Sequence, residues 1–187
     1  VDRIVSKLES KIKSSKFYPN LLVGVARDGL IPAKLLNDRF PNLDLRIILC
    51  KRYYKGFSND VPDIQIGLLG DIHDKKILLI DDAEDNGITL RYVKEKLIEL
   101  GAAEVKSVVL YSKAKESNAD FIGIKGNNFV IFPWNKFQEL AEFLDLELIN
   151  SSSEEKLKVL TKMGFSRKDV LYCIKRLTKG FSRKDVL

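Results

Sequence analysis

The sequence is poor in the residues that define several common classes of protein. Among its 187 residues are two cysteines, one histidine, one methionine and one tryptophan. Cys50 and Cys173 lie far apart, so we expect a reduced pair and no disulfide framework. His73 is the only histidine and has no metal-ligand partners near it in the sequence, so we expect a surface loop histidine.

Long hydrophobic runs are also missing. No apolar run approaches the roughly 20 residues that a transmembrane helix needs, so we expect no membrane span. Residues 1–16 predict an amphipathic helix with Ile4, Val5, Leu8 and Ile12 on one side, and they lack the apolar core of a signal peptide. With 45% hydrophobic and 31% charged residues, the composition is typical of a folded globular protein. We therefore expect a cytoplasmic location.

Charge is unevenly distributed along the chain. Residues 1–150 hold 22 basic and 22 acidic residues, whereas residues 151–187 hold 10 and 4, which accounts for the whole net charge of +6. A basic tail can bind nucleic acid, but its apolar residues recur at helical spacing, so we expect amphipathic helices and no nucleic-acid partner. We predict a main domain at 1–150 and a basic helical tail at 151–187, which contains a repeat at 160–171 and 177–187.

Residues 76–90, KILLIDDAEDNGITL, carry the strongest chemical signal. The apolar run 77–80 predicts a strand covered on both faces of a parallel sheet. Asp81 and Asp82 follow at its carboxyl end, where open α/β sheets place their ligands. Adjacent carboxylates repel each other, so such a pair needs hydrogen-bond donors, a cation or sugar hydroxyls nearby. A third acid follows at Asp85.

The next residues favour a phosphate. Asn86, Gly87, Ile88 and Thr89 supply a turn, a flexible glycine, a hydroxyl and a row of backbone N–H groups. They open a helix that starts near Ile88, and the helix dipole favours an anion there. Together with the acids they predict a pocket for a phosphorylated sugar. The alternative of a receiver domain needs an aspartate after a later central strand, and the strand at 105–111 ends instead in Ser112-Lys113.

Strands and helices alternate along the chain. Strands are predicted at 21–26, 45–50, 77–80, 105–111, 121–124 and 129–132, and helices at 30–40, 88–100 and 137–148. This order predicts an α/β fold with a doubly wound, mostly parallel sheet. Residues 55–72 form a long polar connection of the kind that often serves as a lid. Arg27, Asp28 and Gly29 follow the first strand, where they would face the acids across the crevice and suit a diphosphate.

Residues 76–90 resemble the phosphoribosyl-pyrophosphate (PRPP) motif of the type I phosphoribosyltransferases, in which a strand precedes two acids, two variable residues and Asp-Thr-Gly-x-Thr. Asn86 stands where that motif has threonine. The segments GVARDGLIPAKLLND, LYSKAKESNADF and NNFVIFPWN are similar to the pyrophosphate loop, the base-reading lysine segment and the hood of archaeal and bacterial 6-oxopurine phosphoribosyltransferases. The resemblance spans residues 21–136 and implies that fold, with a small hood at about 121–136 and a C-terminal helical extension.

The resemblance also implies roles for PRPP-binding residues. Asp81 and Asp82 would hold the ribose hydroxyls and Mg²⁺, directly or through water. Asp85 would be the catalytic acid/base and, with the backbone of residues 86–89, would bind the 5′-phosphate. Pyrophosphate would bind at Arg27, Asp28 and Gly29, in a loop that the family often holds in a cis peptide, here expected at Ala26–Arg27.

Base recognition is implied for four further residues. Lys113 would donate to the 6-oxygen of the purine, Phe129 would stack on the base, and Val130 would contact its edge through the main chain. Asn135 stands where the family often has an acid that recognises the 2-position. The resemblance further implies a homodimer.

The expected function is therefore purine salvage, in which ribose 5-phosphate passes from PRPP to N9 of a 6-oxopurine and pyrophosphate is released. Two alternatives stay open at this point. One is a PRPP-sensing regulator without turnover that binds nucleic acid through its tail, which the departures at Asp28, Asn86 and Asn135 would permit. The other is a transferase for adenine or orotate.

Overall fold

The computed structural model describes residues 1–51, 63–65, 70–144 and 150–178 of the chain. The predicted lid at 55–72 and the second copy of the tail repeat lie mostly outside these residues. The chain divides into two compact units, Val1–Phe129 and Val130–Leu187, and each is described by itself below.

The first unit is built on one sheet of six strands. They are β1 (Leu21–Ala26), β2 (Asp44–Lys51), β3 (Asp63–Gln65), β4 (Lys76–Glu84), β5 (Glu104–Ser112) and β6 (Phe121–Lys125). Their order across the sheet is β3-β2-β1-β4-β5-β6, and every neighbouring pair is parallel except β2 and β3. The prediction of an α/β fold with a mostly parallel sheet is confirmed.

The strand order reverses between β1 and β4. β1 pairs with β2 on one side and with β4 on the other, so the connections leave this point in opposite directions. In open parallel sheets such a reversal leaves a crevice beyond the carboxyl ends of the two strands, and ligands bind there. The fold therefore places the residues after Ala26 and the acids at the end of β4 beside the same crevice.

The helices in the described residues of the first unit are α1 (Asp2–Ser14), α2 (Leu30–Asn37) and α3 (Ile88–Glu99). The apolar side of α1 is buried as predicted, with Val5, Leu8 and Ile12 almost inaccessible. α1 packs closely over β6, because a methyl group on Gly123 would lie 2.3 Å from Ile4 Cγ2. The main core lies under α3, where Leu90, Val93 and Leu97 pack against the strands.

Two predicted strands need correction. β4 does not end at residue 80 but runs to Glu84, because β5 continues to supply ladder partners, with Ala83 opposite Tyr111 and Glu84 opposite Ser112. Residues 129–132 form no strand, since the Phe132 N–H donates to the Asn135 side chain at 3.0 Å and a turn begins at Pro133. Of the helix predicted at 137–148, the structure shows α4 (Lys136–Glu142), and residues 145–148 lie outside the described residues.

The second unit contains α4, α5 (Ser153–Lys162) and α6 (Arg167–Thr178). Ser152 begins α5 with a capping box, in which its hydroxyl accepts from the Glu155 N–H and the Glu155 carboxylate accepts from the Ser152 N–H. Leu140, Leu160, Phe165 and Val170 are buried together between the helices. None of the helices in the described part of the chain is long and apolar enough to cross a membrane.

Candidate active site

The acids of β4 alternate between the two faces of the sheet. Asp82 is 6% exposed and Glu84 2% exposed, whereas Ala83 between them faces outward. This alternation follows from the strand geometry, in which successive side chains point to opposite faces. Because β4 continues through these acids, they are held by a paired backbone rather than by a loop.

Residues 27–29, here called the diphosphate loop, lie directly against Asp81. A methyl group on Gly29 would lie 2.4 Å from the Val25 carbonyl oxygen and 2.9 Å from Asp81 Oδ1, so only glycine fits between the ends of β1 and β4. The Ala26–Arg27 peptide is cis, as expected from the resemblance. The structure thus brings together two of the segments that the sequence predicted to face each other.

Electrostatics in the crevice disfavour further negative charge. Burial raises the pKa of Asp81 well above its usual range, and the neighbouring carboxylates of Asp82 and Asp28 raise this pKa further. The pKa of Asp28 is also raised by burial, against the opposing effect of the Arg27 guanidinium. The crevice therefore favours a bound cation or protonated carboxyl groups, and it favours sugar hydroxyls as donors.

Residues 85–89, here called the phosphate loop, join β4 to α3. Gly87 has φ +72° and forms the N-cap of α3, a backbone conformation that favours glycine. The Asn86 side-chain oxygen accepts from the Ile88 N–H at 3.2 Å, and Thr89 lies in the first turn of the helix. The N-terminus of α3 supplies backbone N–H groups and the positive end of its dipole to this loop.

Lys113 connects the predicted base site to the phosphate loop. It begins the connection between β5 and β6, residues 113–120, here called the lysine loop. Its ammonium lies 3.0 Å from Asp85 Oδ1 and 5.7 Å from the centroid of the Phe129 ring, which is 54% exposed. A donor, an acid and a partly exposed aromatic ring are therefore adjacent.

Val130 and Asn135 belong to the second unit. Asn135 is buried, and its side-chain oxygen accepts from the Phe132 N–H, which closes the turn that contains Pro133 and Trp134. The Phe132 and Trp134 rings stack with centroids 4.7 Å apart inside this segment. Val130 is half-buried.

Sequence reasoning missed Glu84. Its carboxylate accepts from Ser112 Oγ at 2.6 Å, from Ser117 Oγ, and from the Asn118 N–H at 2.7 Å. The period of two along a strand was the available signal, because it places Glu84 on the same face as Asp82. Recognising that signal requires a strand that continues to residue 84, and the apolar run that predicted the strand ends at residue 80.

The side chains alone do not complete a metal site. Within residues 1–51, 63–65, 70–144 and 150–178, no three His, Cys, Asp or Glu side chains are grouped so that they could hold a metal ion. Mg²⁺ in phosphate chemistry commonly uses only one or two carboxylates and takes its other ligands from water and substrate phosphates. The paired acids Asp81 and Asp82 fit that requirement.

Comparison with known proteins agrees with this geometry. The family model described as phosphoribosyl transferase domain matches residues 1–139. The family match, together with the acids at the reversal point of the sheet, identifies the chain as a type I phosphoribosyltransferase. Hypoxanthine-guanine phosphoribosyltransferase of Aquifex aeolicus is 30% identical, and the match covers 67% of this chain and 75% of that protein.

Solved structures of phosphoribosyltransferases are also similar to this chain. A purine phosphoribosyltransferase from Pyrococcus horikoshii is 35% identical with a TM-score of 0.62, over 71% of this chain and 87% of that one. A hypoxanthine phosphoribosyltransferase from Staphylococcus aureus, 22% identical with a TM-score of 0.59 over 68% and 73% of the two chains, shares the fold. The chain belongs to the phosphoribosyltransferase family, in its 6-oxopurine branch.

Proposed function

We propose that this enzyme transfers ribose 5-phosphate from PRPP to N9 of a 6-oxopurine and releases pyrophosphate. The observation that carries the proposal is the position of the Lys113 ammonium, 3.0 Å from Asp85 and 5.7 Å from the Phe129 ring centroid. A purine stacked on Phe129 would present its edge to both charged groups. The relatives named above support the same reaction class.

The chemistry of lysine favours an oxopurine over adenine. An ammonium group only donates hydrogen bonds, so it matches a 6-oxygen and conflicts with a 6-amino group. O6 and N7 lie side by side on one edge of the purine, and the contact between Lys113 and Asp85 brings both side chains to one place. Lys113 would bind O6, while Asp85 would face N7.

Each part of PRPP is assigned to one of the loops described above or to the end of β4. The diphosphate loop at Arg27, Asp28 and Gly29 would hold the pyrophosphate group. Asp81 and Asp82 would hold the ribose hydroxyls, and the phosphate loop would anchor the 5′-phosphate through the α3 N-terminus and the Thr89 hydroxyl. Contact between Gly29 and Asp81 supports a single ligand spanning the first two subsites.

Asp28 departs from the glycine usual in this family and needs a physical account. An ionised carboxylate in the diphosphate loop would repel the ligand. Burial raises the pKa of Asp28 against the opposing effect of the Arg27 guanidinium, whose positive charge would offset part of that repulsion. Arg27, on the exposed side of the loop, would make the charge-assisted bonds to the diphosphate.

Magnesium fits the crevice between the diphosphate loop and β4. Asp81 and Asp82 would supply carboxylate oxygens. Burial first, and then the carboxylates of Asp82 and Asp28, raise the pKa of Asp81, and a cation would offset that negative charge. When bound with PRPP, the ion would neutralise part of the charge on the departing diphosphate.

The transfer exchanges one bond at C1′ of the ribose. The bond from C1′ to the diphosphate oxygen breaks, the bond from N9 to C1′ forms, and the purine loses a proton. Positive charge develops at C1′, as in glycoside hydrolysis, and the nearby carboxylates would stabilise it. Asp85 would hold the proton of the purine ring as its acid/base partner.

Other parts of the proposal concern the whole chain. We propose a cytoplasmic homodimer with a transferase domain at 1–150, including a hood at about 121–136, and a helical tail at 151–187. Cys50 and Cys173 are thiols rather than a disulfide-bonded pair, which is compatible with a reducing compartment. The proposal of Val130 and Asn135 as base-binding residues rests on the sequence resemblance alone.

The deciding experiment is pyrophosphate release from PRPP with Mg²⁺ and each of guanine, hypoxanthine, xanthine and adenine. We expect turnover with at least one oxopurine and a kcat/KM for adenine that is lower by at least about 100-fold. Adenine would leave the polar groups of the base site without their hydrogen-bond partners, and such a mismatch is strongly discriminated against. Equal or higher activity with adenine would contradict the base assignment. Absence of turnover with all four bases would contradict the proposed reaction.

A further inference from the structure

Glu84 occupies a position between two functional loops. It is the last residue of β4, directly before Asp85, and its side chain is almost completely buried. Burying a carboxylate away from water is costly unless strong donors replace the lost hydration. The donors found here all come from one segment, the end of β5 and the lysine loop.

Four hydrogen bonds join Glu84 to that segment. The carboxylate accepts from the hydroxyls of Ser112 and Ser117 and from the Asn118 N–H, and the Glu84 carbonyl accepts from the Lys113 N–H at 2.9 Å. The bonded residues bracket Lys113 and extend along the lysine loop. One side chain therefore determines where the lysine loop lies on the end of β4.

Glu84 and Asn118 also contact the phosphate loop. A methyl group on Gly87 would lie 2.1 Å from Asn118 Nδ2 and 2.8 Å from Glu84 Oε1, so both groups pack on the glycine backbone. The lysine loop and the phosphate loop thus meet over Gly87, with the Glu84 carboxylate between them. Displacement of one loop would displace the contact surface of the other.

We propose that Glu84 is a positioning residue for phosphoribosyl transfer, one that holds the lysine loop on the phosphate loop and so sets Lys113 against Asp85. The inference rests on the proposed function, since Lys113 and Asp85 matter through the roles given there. With its carboxylate buried among protein donors, Glu84 acts through the residues it binds rather than on substrate. Errors of about 1 Å in such placement can cost on the order of 100-fold in rate.

Glu84→Gln tests the proposal with little change of shape. The amide offers one acceptor oxygen in place of two and turns a donor group toward one of its partners. We expect a roughly 10- to 100-fold loss in kcat/KM for the purine, with a much smaller change in the dissociation constant for PRPP. Ser117→Ala should give a smaller loss of the same kind, and Ser117→Thr, which keeps the hydroxyl, should restore activity.

Asp120→Asn is the matched control. Asp120, the last residue of the lysine loop, accepts at Oδ2 from the Ser107 N–H, from Ser107 Oγ and from Lys94 Nζ, a similar serine–carboxylate cluster at the end of the loop away from Lys113. The Asp120→Asn substitution should lower the melting temperature, while kcat/KM for the purine changes little. If Glu84→Gln lowers only the melting temperature and leaves purine kcat/KM unchanged, Glu84 is structural and the proposal fails.

Amide hydrogen exchange separates this proposal from the reaction itself. In Glu84→Gln we expect faster exchange in peptides covering 85–90 and 112–119, relative to Asp120→Asn. That result supports the positioning role even if the native protein shows no turnover, which would contradict only the proposed function. Unchanged exchange in both segments would overturn the positioning role whatever the enzyme assays show.

Discussion

The Lys113 ammonium lies 3.0 Å from the Asp85 carboxylate, so the proposed base donor and the proposed catalytic acid contact each other. The two residues come from different strand ends, β5 and β4, which the sheet places side by side. Opposite charges at this distance stabilise each other, although both side chains are partly exposed and solvent weakens the effect. A purine would replace this ion pair with bonds of its own to each group.

Replacing Lys113 with alanine should weaken purine use selectively. A hydrogen bond from a charged group contributes about 1.5–3 kcal/mol, which corresponds to a roughly 10- to 100-fold rise in KM for the base. PRPP affinity, measured by calorimetry, should change little, because Lys113 lies on the base side of Asp85. Lys115→Ala, two residues along and exposed, is the control and should leave both constants unchanged. A parallel loss of PRPP affinity would argue against a base-specific role.

Asp85→Asn should reduce kcat rather than binding. General acid/base assistance typically contributes about 100- to 10,000-fold, so we expect a loss in that range in steady-state assays. The amide keeps the size of the side chain, and the KM for PRPP should stay within a few fold. Glu116→Gln removes an exposed acid of the lysine loop and should have no effect. A kcat close to that of the native protein would exclude Asp85 as the acid/base.

The sequence predicts the sheet well because long apolar runs and their connections carry most of the fold. The apolar run at 77–80 and its following acids predict the site, since parallel strands leave their carboxyl ends beside one crevice. Glu84 was missed for a different reason. Whether a strand continues past its apolar residues depends on its neighbour in the sheet. Here Ala83 pairs with Tyr111 and Glu84 with Ser112, each 28 residues away in the sequence.

The segment at 129–132 shows the opposite error. Its apolar residues predicted a strand, but a strand needs a partner for its backbone groups. The Phe132 N–H instead bonds to Asn135, and the rings of Phe132 and Trp134 stack within the turn. Local side-chain bonds of this kind compete with sheet pairing and are hard to anticipate from an apolar pattern.

Gly87→Ala should impair both folding and PRPP binding. Alanine at φ +72° is strained, and its methyl group would collide with Asn118 and Glu84. We expect a loss of about 2–4 kcal/mol in the free energy of unfolding, from the backbone conformation and the overpacking together. Urea denaturation measures it, and calorimetry with PRPP should show weaker binding where the protein remains folded.

Gly164→Ala is a matched control for that substitution. Gly164 also has positive φ, +101°, but nothing lies within 4 Å of the position its methyl group would take. Only the backbone conformation should cost stability there, about 1–2 kcal/mol. PRPP affinity should not change. If the two variants lose equal stability and equal PRPP affinity, the close packing over Gly87 has no part in the site.

Asp81→Asn should stabilise the protein in the absence of PRPP and Mg²⁺. Burial and the charges of Asp82 and Asp28 raise the folded-state pKa of Asp81 above its unfolded value. When the folded-state pKa of a carboxyl group is raised, the group contributes to stability below its unfolded-state pKa, and this contribution is lost as pH rises through the folded-state pKa. At neutral pH the ionised Asp81 carboxylate therefore lowers the stability of the native protein. The variant should therefore have the higher melting temperature at pH 7–8, and the gain should vanish below about pH 4.

Asp120→Asn should show the opposite pH dependence. Burial alone would raise the pKa of Asp120, but hydrogen bonds from Lys94 and Ser107 outweigh it and lower this pKa. Its stabilising contribution is present above the unfolded pKa and is lost as pH falls through the folded pKa, so the variant should be less stable at pH 7 and equal to the native protein in acid. PRPP with Mg²⁺ should raise the melting temperature of native protein and of Asp120→Asn but much less that of Asp81→Asn. Such a result would show that Asp81 serves ligand binding at a cost in stability, whereas Asp120 only supports the fold. Lower stability of Asp81→Asn than of the native protein at neutral pH would contradict the electrostatic account of the crevice.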